Sequence, residues 1–89
     1  MPVKRLIIKG KVQGVYFRAR AKEFADNAGI TGWVRNTVDG CVEALASGSA
    51  EQLELFIHWC RRGPQRAVVD EITIMDEPET RFDGFRILR

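Results

Sequence analysis

The chain is poor in the side chains that do most acid–base and redox chemistry. It has one histidine, His58, and two cysteines, Cys41 and Cys60. The outward side of the second predicted helix holds His58, and no Ser-His-Asp or Cys-His set can be assembled around it. The cysteines are too far apart for a C-x-x-C zinc site or redox pair. Two free thiols in a reducing compartment are expected. No apolar run approaches the about 20 residues needed to cross a bilayer. The start, "MPVKRLIIKGK", lacks the long apolar core and small-residue cleavage site of a signal peptide, so the chain reads as cytoplasmic. A surplus of one charge is also lacking. Fourteen basic and 12 acidic residues leave a net charge of +2. This is weak for a dedicated duplex binder and compatible with a small anionic substrate. No cluster of carboxylates resembles a metal box, and no Walker loop is present.

What is present suffices for one domain. The chain has 89 residues, 45% of them hydrophobic and 29% charged, which supports a single core and argues against disorder. Residues 5–12 alternate, with Leu6, Ile8, Gly10 and Val12 on one side and Arg5, Ile7, Lys9 and Lys11 on the other. This pattern predicts a strand with one buried face. From Arg18 the period changes to a helical one, carried by Ala21, Phe24, Ala25 and Ala28, and Gly29 supplies a left-handed stop. "TGWVRNT" and "GCVEALAS" read as strands joined at an Asp-Gly hairpin signal. Ser49 and Gln52 form a capping box for a second helix, with Leu53, Phe56, Ile57 and Cys60 inward and Gly63-Pro64 as its stop. Residues 67–75 alternate as another strand. A polar loop, "MDEPETRFDG", then leads to a short closing strand, "FRIL". Cys41 and Cys60 fall on opposite sides of the expected sheet, out of disulfide reach.

The order β, α, β, β, α, β with a final short β predicts an α+β, ferredoxin-like βαββαβ sandwich. An antiparallel sheet would carry two helices on one face, with the first strand near the middle and the Asn36 strand near an edge. Because this fold serves many purposes, function has to come from a site.

The candidate site is "GKVQGVYFR", residues 10–18. A strand breaks at Gly14 and a helix follows, so the first helical N–H groups lack partners and carry partial positive charge. Loop amides can converge on an anion, and Arg18 adds a planar fork of donors suited to phosphate. Pattern alone leaves two readings open, an ordinary strand-to-helix turn or an anion cradle. Asn36 is open in the same way. It is either a turn residue or a carboxamide that holds a water and a substrate at once. Asp39 and Glu43 flank the hairpin and read as solvated.

Two stretches together resemble the acylphosphatase family. Its first signature is matched by Ile8, Gly10, Val12, Gln13, Gly14, Val15, Phe17 and Arg18. The second is matched by Gly32, Trp33, Asn36, Gly40, Val42 and Gly48. Both run without a gap, and the resemblance covers essentially the whole of residues 1–89 as a single acylphosphatase-like domain. It implies hydrolysis of the carboxyl–phosphate bond of acyl phosphates to carboxylate and phosphate, without metal or other cofactor. It assigns phosphate binding to Arg18 and water orientation to Asn36. Phosphate cradling falls to the backbone of Gln13, Gly14, Val15, Tyr16 and Phe17. Tyr16 stands at a variable position of the motif and receives no side-chain chemistry.

The partner expected is a small acyl phosphate, met by a monomer, with no nucleic acid and no membrane. An RNA-binding sheet would want exposed aromatics with basic residues, and the open face of the first strand offers Ile7, Lys9 and Lys11 with no aromatic. The resemblance extends to a domain at the start of larger carbamoyl-transfer maturation proteins. Because this chain ends at Arg89, just after the closing strand, a free-standing enzyme is expected.

Overall fold

The structure is a computed structural model that describes residues 1–89. Its elements are β1 (Val3–Lys11), α1 (Phe17–Ala28), β2 (Thr31–Asn36), β3 (Val42–Ser47), α2 (Ala50–Arg62), β4 (Val68–Glu77) and β5 (Phe85–Ile87). This is the expected βαββαβ order with the extra closing strand. The strands form one sheet in the order β4-β1-β3-β2-β5. No helix is long and apolar enough to cross a membrane.

Alternation builds the two faces. Leu6 and Ile8 of β1, Val34 of β2, and Ala44 and Ala46 of β3 are buried in one core with Ala21 and Ala25 of α1 and Leu53, Phe56 and Cys60 of α2. The alanines let α1 lie close on the sheet, where a bulkier side chain would hold it off. An aromatic cluster joins the helices. Phe24 lies over Trp59 at 5.9 Å between centroids, and Phe17 meets Trp59 edge-on at 5.3 Å. Phe17 therefore pins the first turn of α1 to α2.

Helix ends follow the local signals unequally. In α2 the expected capping box is complete, since the Gln52 N–H donates to Ser49 Oγ and Gln52 Oε1 accepts from the Ser49 N–H at 2.7 Å. Gly29 ends α1 in the left-handed conformation, as expected. The start of α1 is different and is described below.

The sheet departs from expectation in three places. First, β4 runs on to Glu77, pairing with β1 as far as Val3↔Glu77, so the polar loop begins later than its composition suggests. Second, the four long strands pair antiparallel but β5 joins β2 in parallel, Gly32↔Phe85 to Val34↔Ile87. Thus β2 lies one strand in from the edge and β3 takes the centre. Third, Glu43 is not solvated. It is 6% exposed, on the face away from the helices, where it accepts from Arg35 at 2.6 Å and from Arg5. The two guanidiniums also lie near Trp33, at 5.7 and 6.0 Å from its ring. The open face thus does carry an aromatic, on β2, already engaged by two arginines. Cys41 and Cys60 are both buried free thiols, as expected.

Candidate functional site

Strand β1 ends at Lys11 and α1 begins at Phe17, leaving a five-residue loop between them. Val12 and Val15 sink into the core and hold this loop at two points. Between and beside them the backbone alternates. Gly14 has φ 74°, Tyr16 has φ 65°, and no other residue from Gln13 to Arg18 has a positive φ. Alternation of left- and right-handed residues turns successive N–H groups toward one side, the geometry of an anion nest. Glycine reaches that conformation without strain, whereas Tyr16 adopts it at a cost of roughly 1–2 kcal/mol.

The loop amides are unspent. None of the N–H groups of Gly14, Val15 or Tyr16 donates to a backbone acceptor, and the first helical bond of α1 comes only at Arg20 N–H to Tyr16 O, 3.1 Å. Tyr16 occupies the N-cap position and offers no side-chain cap, and the first turn of α1 contains no acid. In α2, by contrast, Ser49 caps the helix and Glu51 adds negative charge to its first turn. A helix start favours negative charge. In α1 that preference is left open, and Arg18 adds positive charge beside it, whereas Arg20 is paired with Glu23 at 3.0 Å.

A cleft of about 650 Å³ lies against this loop, lined by Val12, Gly14, Tyr16, Phe17, Arg18, Ala19, Asn36, Ile87 and Arg89. The lining side chains include two guanidiniums and no carboxylate, imidazole or thiol. Arg18 is half-buried and has no acidic partner within salt-bridge distance. Asn36 reaches the cleft because β2 alternates. Gly32, Val34 and Asn36 share the face that the helices cover, so the last of them looks toward the loop. Its Oδ1 is buried and has no hydrogen-bond partner. A buried acceptor without a donor costs about 1–3 kcal/mol, and a water or substrate group in the cleft would satisfy it.

The structure therefore brings Gly14, Tyr16, Phe17, Arg18 and Asn36 together from among the residues singled out in the sequence. Gln13 and Val15 stand outside the lining. The side chain of Val15 is in the core. Gln13 turns away from the cleft, and its Nε2 donates to the carbonyls of Thr37 and Cys41 at 2.8 and 2.9 Å. Two lining residues, Ile87 and Arg89, had no sequence signal. They arrive because β5 pairs with β2 and brings the end of the chain alongside Asn36, with the Leu88 N–H donating to Val34 O at 2.8 Å.

Comparison with known proteins bears on the chain as a whole. The Acylphosphatase family profile matches residues 4–87. A protein named acylphosphatase from Marinobacter nauticus is 50% identical over 82 residues, which cover 91% of this chain and 89% of that one. The crystal structure of acylphosphatase from Bacillus subtilis superposes with a TM-score of 0.96 at 33% identity, with 100% of both chains covered. The crystal structure of full-length HypF in its phosphate- and nucleotide-bound form also matches, with a TM-score of 0.83 at 26% identity. There, 99% of this chain corresponds to 12% of the larger one.

Proposed function

Because the chain belongs to the acylphosphatase family and so hydrolyses acyl phosphates, we propose that Arg18, Asn36 and the amides of the loop from Gln13 to Phe17 are its catalytic machinery. The observation that carries this reading is one of unspent groups. A positively charged helix start without a cap, an arginine without a counter-ion and a carboxamide oxygen without a donor all meet in one cleft.

The phosphoryl group sits on the loop amides, with its oxygens on the guanidinium of Arg18. Asn36 Oδ1 accepts a hydrogen bond from a water and holds it in line with the bond to the acyl oxygen. Attack forms the new P–O bond as the old one breaks, releasing carboxylate. In such a loose transition state charge spreads over the phosphoryl oxygens. Donors already in place stabilise it without reorganising. A carboxylate leaves without being protonated, which suits a cleft that contains no acid. The amide of Asn36 is too weak a base to take a proton, so both water hydrogens end on the phosphate, giving dihydrogen phosphate.

The enzyme acts as a single domain over residues 1–89, as a monomer without metal or cofactor, on small acyl phosphates rather than nucleic acids. Two buried free thiols are compatible with a reducing compartment such as the cytoplasm, where we place the enzyme. The test is hydrolysis of benzoyl phosphate in the presence of EDTA, comparing wild type with Arg18→Ala. Loss of this preorganised donor is worth about 2.7–4 kcal/mol in the transition state. Turnover is expected to fall about a hundredfold or more, with inorganic phosphate a much poorer competitive inhibitor. Unchanged phosphate inhibition in Arg18→Ala would remove the arginine from the site, and a metal requirement would overturn the scheme.

A further inference from the structure

The two halves of the site belong to different parts of the chain. The cradle is the β1–α1 loop, and Asn36 ends β2 beside the β2–β3 hairpin. In-line attack depends on the distance between them, and misplacement of reacting groups by about 1 Å can cost a hundredfold in rate. Something must fix that distance.

We propose that Gln13 is a positioning residue whose carboxamide clamps the phosphate cradle to the hairpin that carries Asn36. The proposal rests on the assignment of Asn36 and the loop given above. Gln13 is the first residue of the loop, directly after the buried Val12. It is the one residue from Gln13 to Phe17 whose side chain makes a hydrogen bond. Its two amide hydrogens serve two carbonyls, those of Thr37 and Cys41, which face each other across the neck of the hairpin. That neck is itself closed. The Thr37 N–H donates to Cys41 O at 2.9 Å, the Gly40 N–H to Thr37 O at 3.3 Å, and the Cys41 N–H to Thr37 Oγ1 at 3.0 Å. Thr37 follows Asn36 directly. A rigid turn held at both edges of its neck therefore transmits the position of Gln13 to the residue that holds the water. Phe17, packed on Trp59, anchors the other end of the loop. Besides the buried Val12 and Val15, the cradle thus has one anchor on α2 and one on the hairpin, and only the last involves the water site.

The consequence is a separation of kcat from phosphate binding. Gln13→Met keeps the length of the side chain and removes both donors. Its kcat on benzoyl phosphate is expected to fall tenfold to a hundredfold, while the inhibition constant of inorganic phosphate stays within twofold. If Gln13 acts through Asn36, the double variant Gln13→Met/Asn36→Ala will be no slower than Asn36→Ala alone. Gln13→Asn, one carbon too short to span both carbonyls, gives a second test should the methionine variant fold poorly, and the same loss of kcat alone is expected. A kcat within twofold of wild type in a folded variant would overturn the proposal. Equal losses in kcat and phosphate affinity, or additive effects in the double variant, would also overturn it. Arg18→Ala and Asn36→Ala run alongside keep the two ideas apart. If those two are inactive and Gln13→Met is normal, only the clamp fails. If they remain active, the site assignment itself fails.

Discussion

Replacing Asn36 with alanine should make the protein more stable and nearly inactive, a combination that few substitutions produce. The stability half follows from Oδ1, which is buried and unpartnered. With no protein donor, Oδ1 either stays bare or immobilises a cleft water, at a cost to the fold of about 1–2 kcal/mol, and alanine abolishes that cost. The vacated space adjoins the open cleft, so no closed cavity forms to offset the gain. Asparagine and alanine are both poor strand residues, and the exchange is nearly neutral on that account. A net gain of about 1 kcal/mol corresponds to a rise in Tm of about 4–8 °C for a domain of this size. The activity half follows from the role of the same atom. Losing one preorganised partner in the transition state costs about 2.7–4 kcal/mol, a hundredfold to a thousandfold in kcat. In the proposed site phosphate binding belongs to Arg18 and the loop, so the inhibition constant of phosphate should stay within twofold. Thermal denaturation and benzoyl phosphate hydrolysis on the same preparations measure both halves. Asn36→Asp sharpens the contrast, since it keeps an acceptor but sets a negative charge facing the phosphate and should raise KM as well. A Tm lowered by several degrees in Asn36→Ala would mean that the carboxamide is a structural group with a hidden partner. Turnover within tenfold of wild type would mean that it does not hold the attacking water.

Two further expectations concern the sheet beneath the site. Burial pushes the Glu43 carboxyl up, but hydrogen bonds from Arg35 and Arg5 outweigh it and hold the group below its ordinary value of 4.5. A depressed carboxylate stabilises the fold above its unfolded pKa and loses that contribution as pH falls through the folded one. Stability should therefore decline below about pH 4.5, and Glu43→Ala, at a cost of about 2 kcal/mol, should flatten that decline. Urea titrations at several pH values would detect it, and an unchanged acid limb would count against the ion cluster. Gly32→Ala should cost about 3 kcal/mol or more, because φ is 137° and a Cβ would lie 1.8 Å from the carbonyl oxygen of Leu45. A loss below about 1 kcal/mol in chemical denaturation would show that β2 and β3 can separate there at little cost.

The sequence speaks most clearly where structure is local. The change from period two to a helical period around Gly14, and the Ser49–Gln52 box, each lie within one turn of chain, and both elements form as the pattern implies. Arg18 and Asn36 could be singled out for the same reason, since each stands at a fixed place in a short motif, and both line the cleft. Features that depend on distant partners could not be. A three-residue strand at 85–87 carries no mark of which strand it will join, so nothing in the sequence brings Ile87 and Arg89 to the cleft. Glu43 reads as a solvated acid until the register places it opposite Arg35 on β2 and diagonal to Arg5 on β1, two residues along from its partner Ile7. Gln13 reads as loop backbone until the hairpin, 24 and 28 residues away, comes within reach of its side chain. One signal was missed even though it is local, because tyrosine, unlike glycine or asparagine, does not announce a left-handed backbone. Yet the places where this chain breaks its own local rules converge on a single site. Tyr16 is strained, α1 begins uncapped with positive charge, and Asn36 buries an acceptor without a donor, whereas α2, built from the same alphabet, satisfies every one of those rules. Costs scattered over the molecule would be noise. Costs gathered around one cleft, each of which a bound phosphate or an attacking water could relieve, mark where the fold was shaped by a ligand.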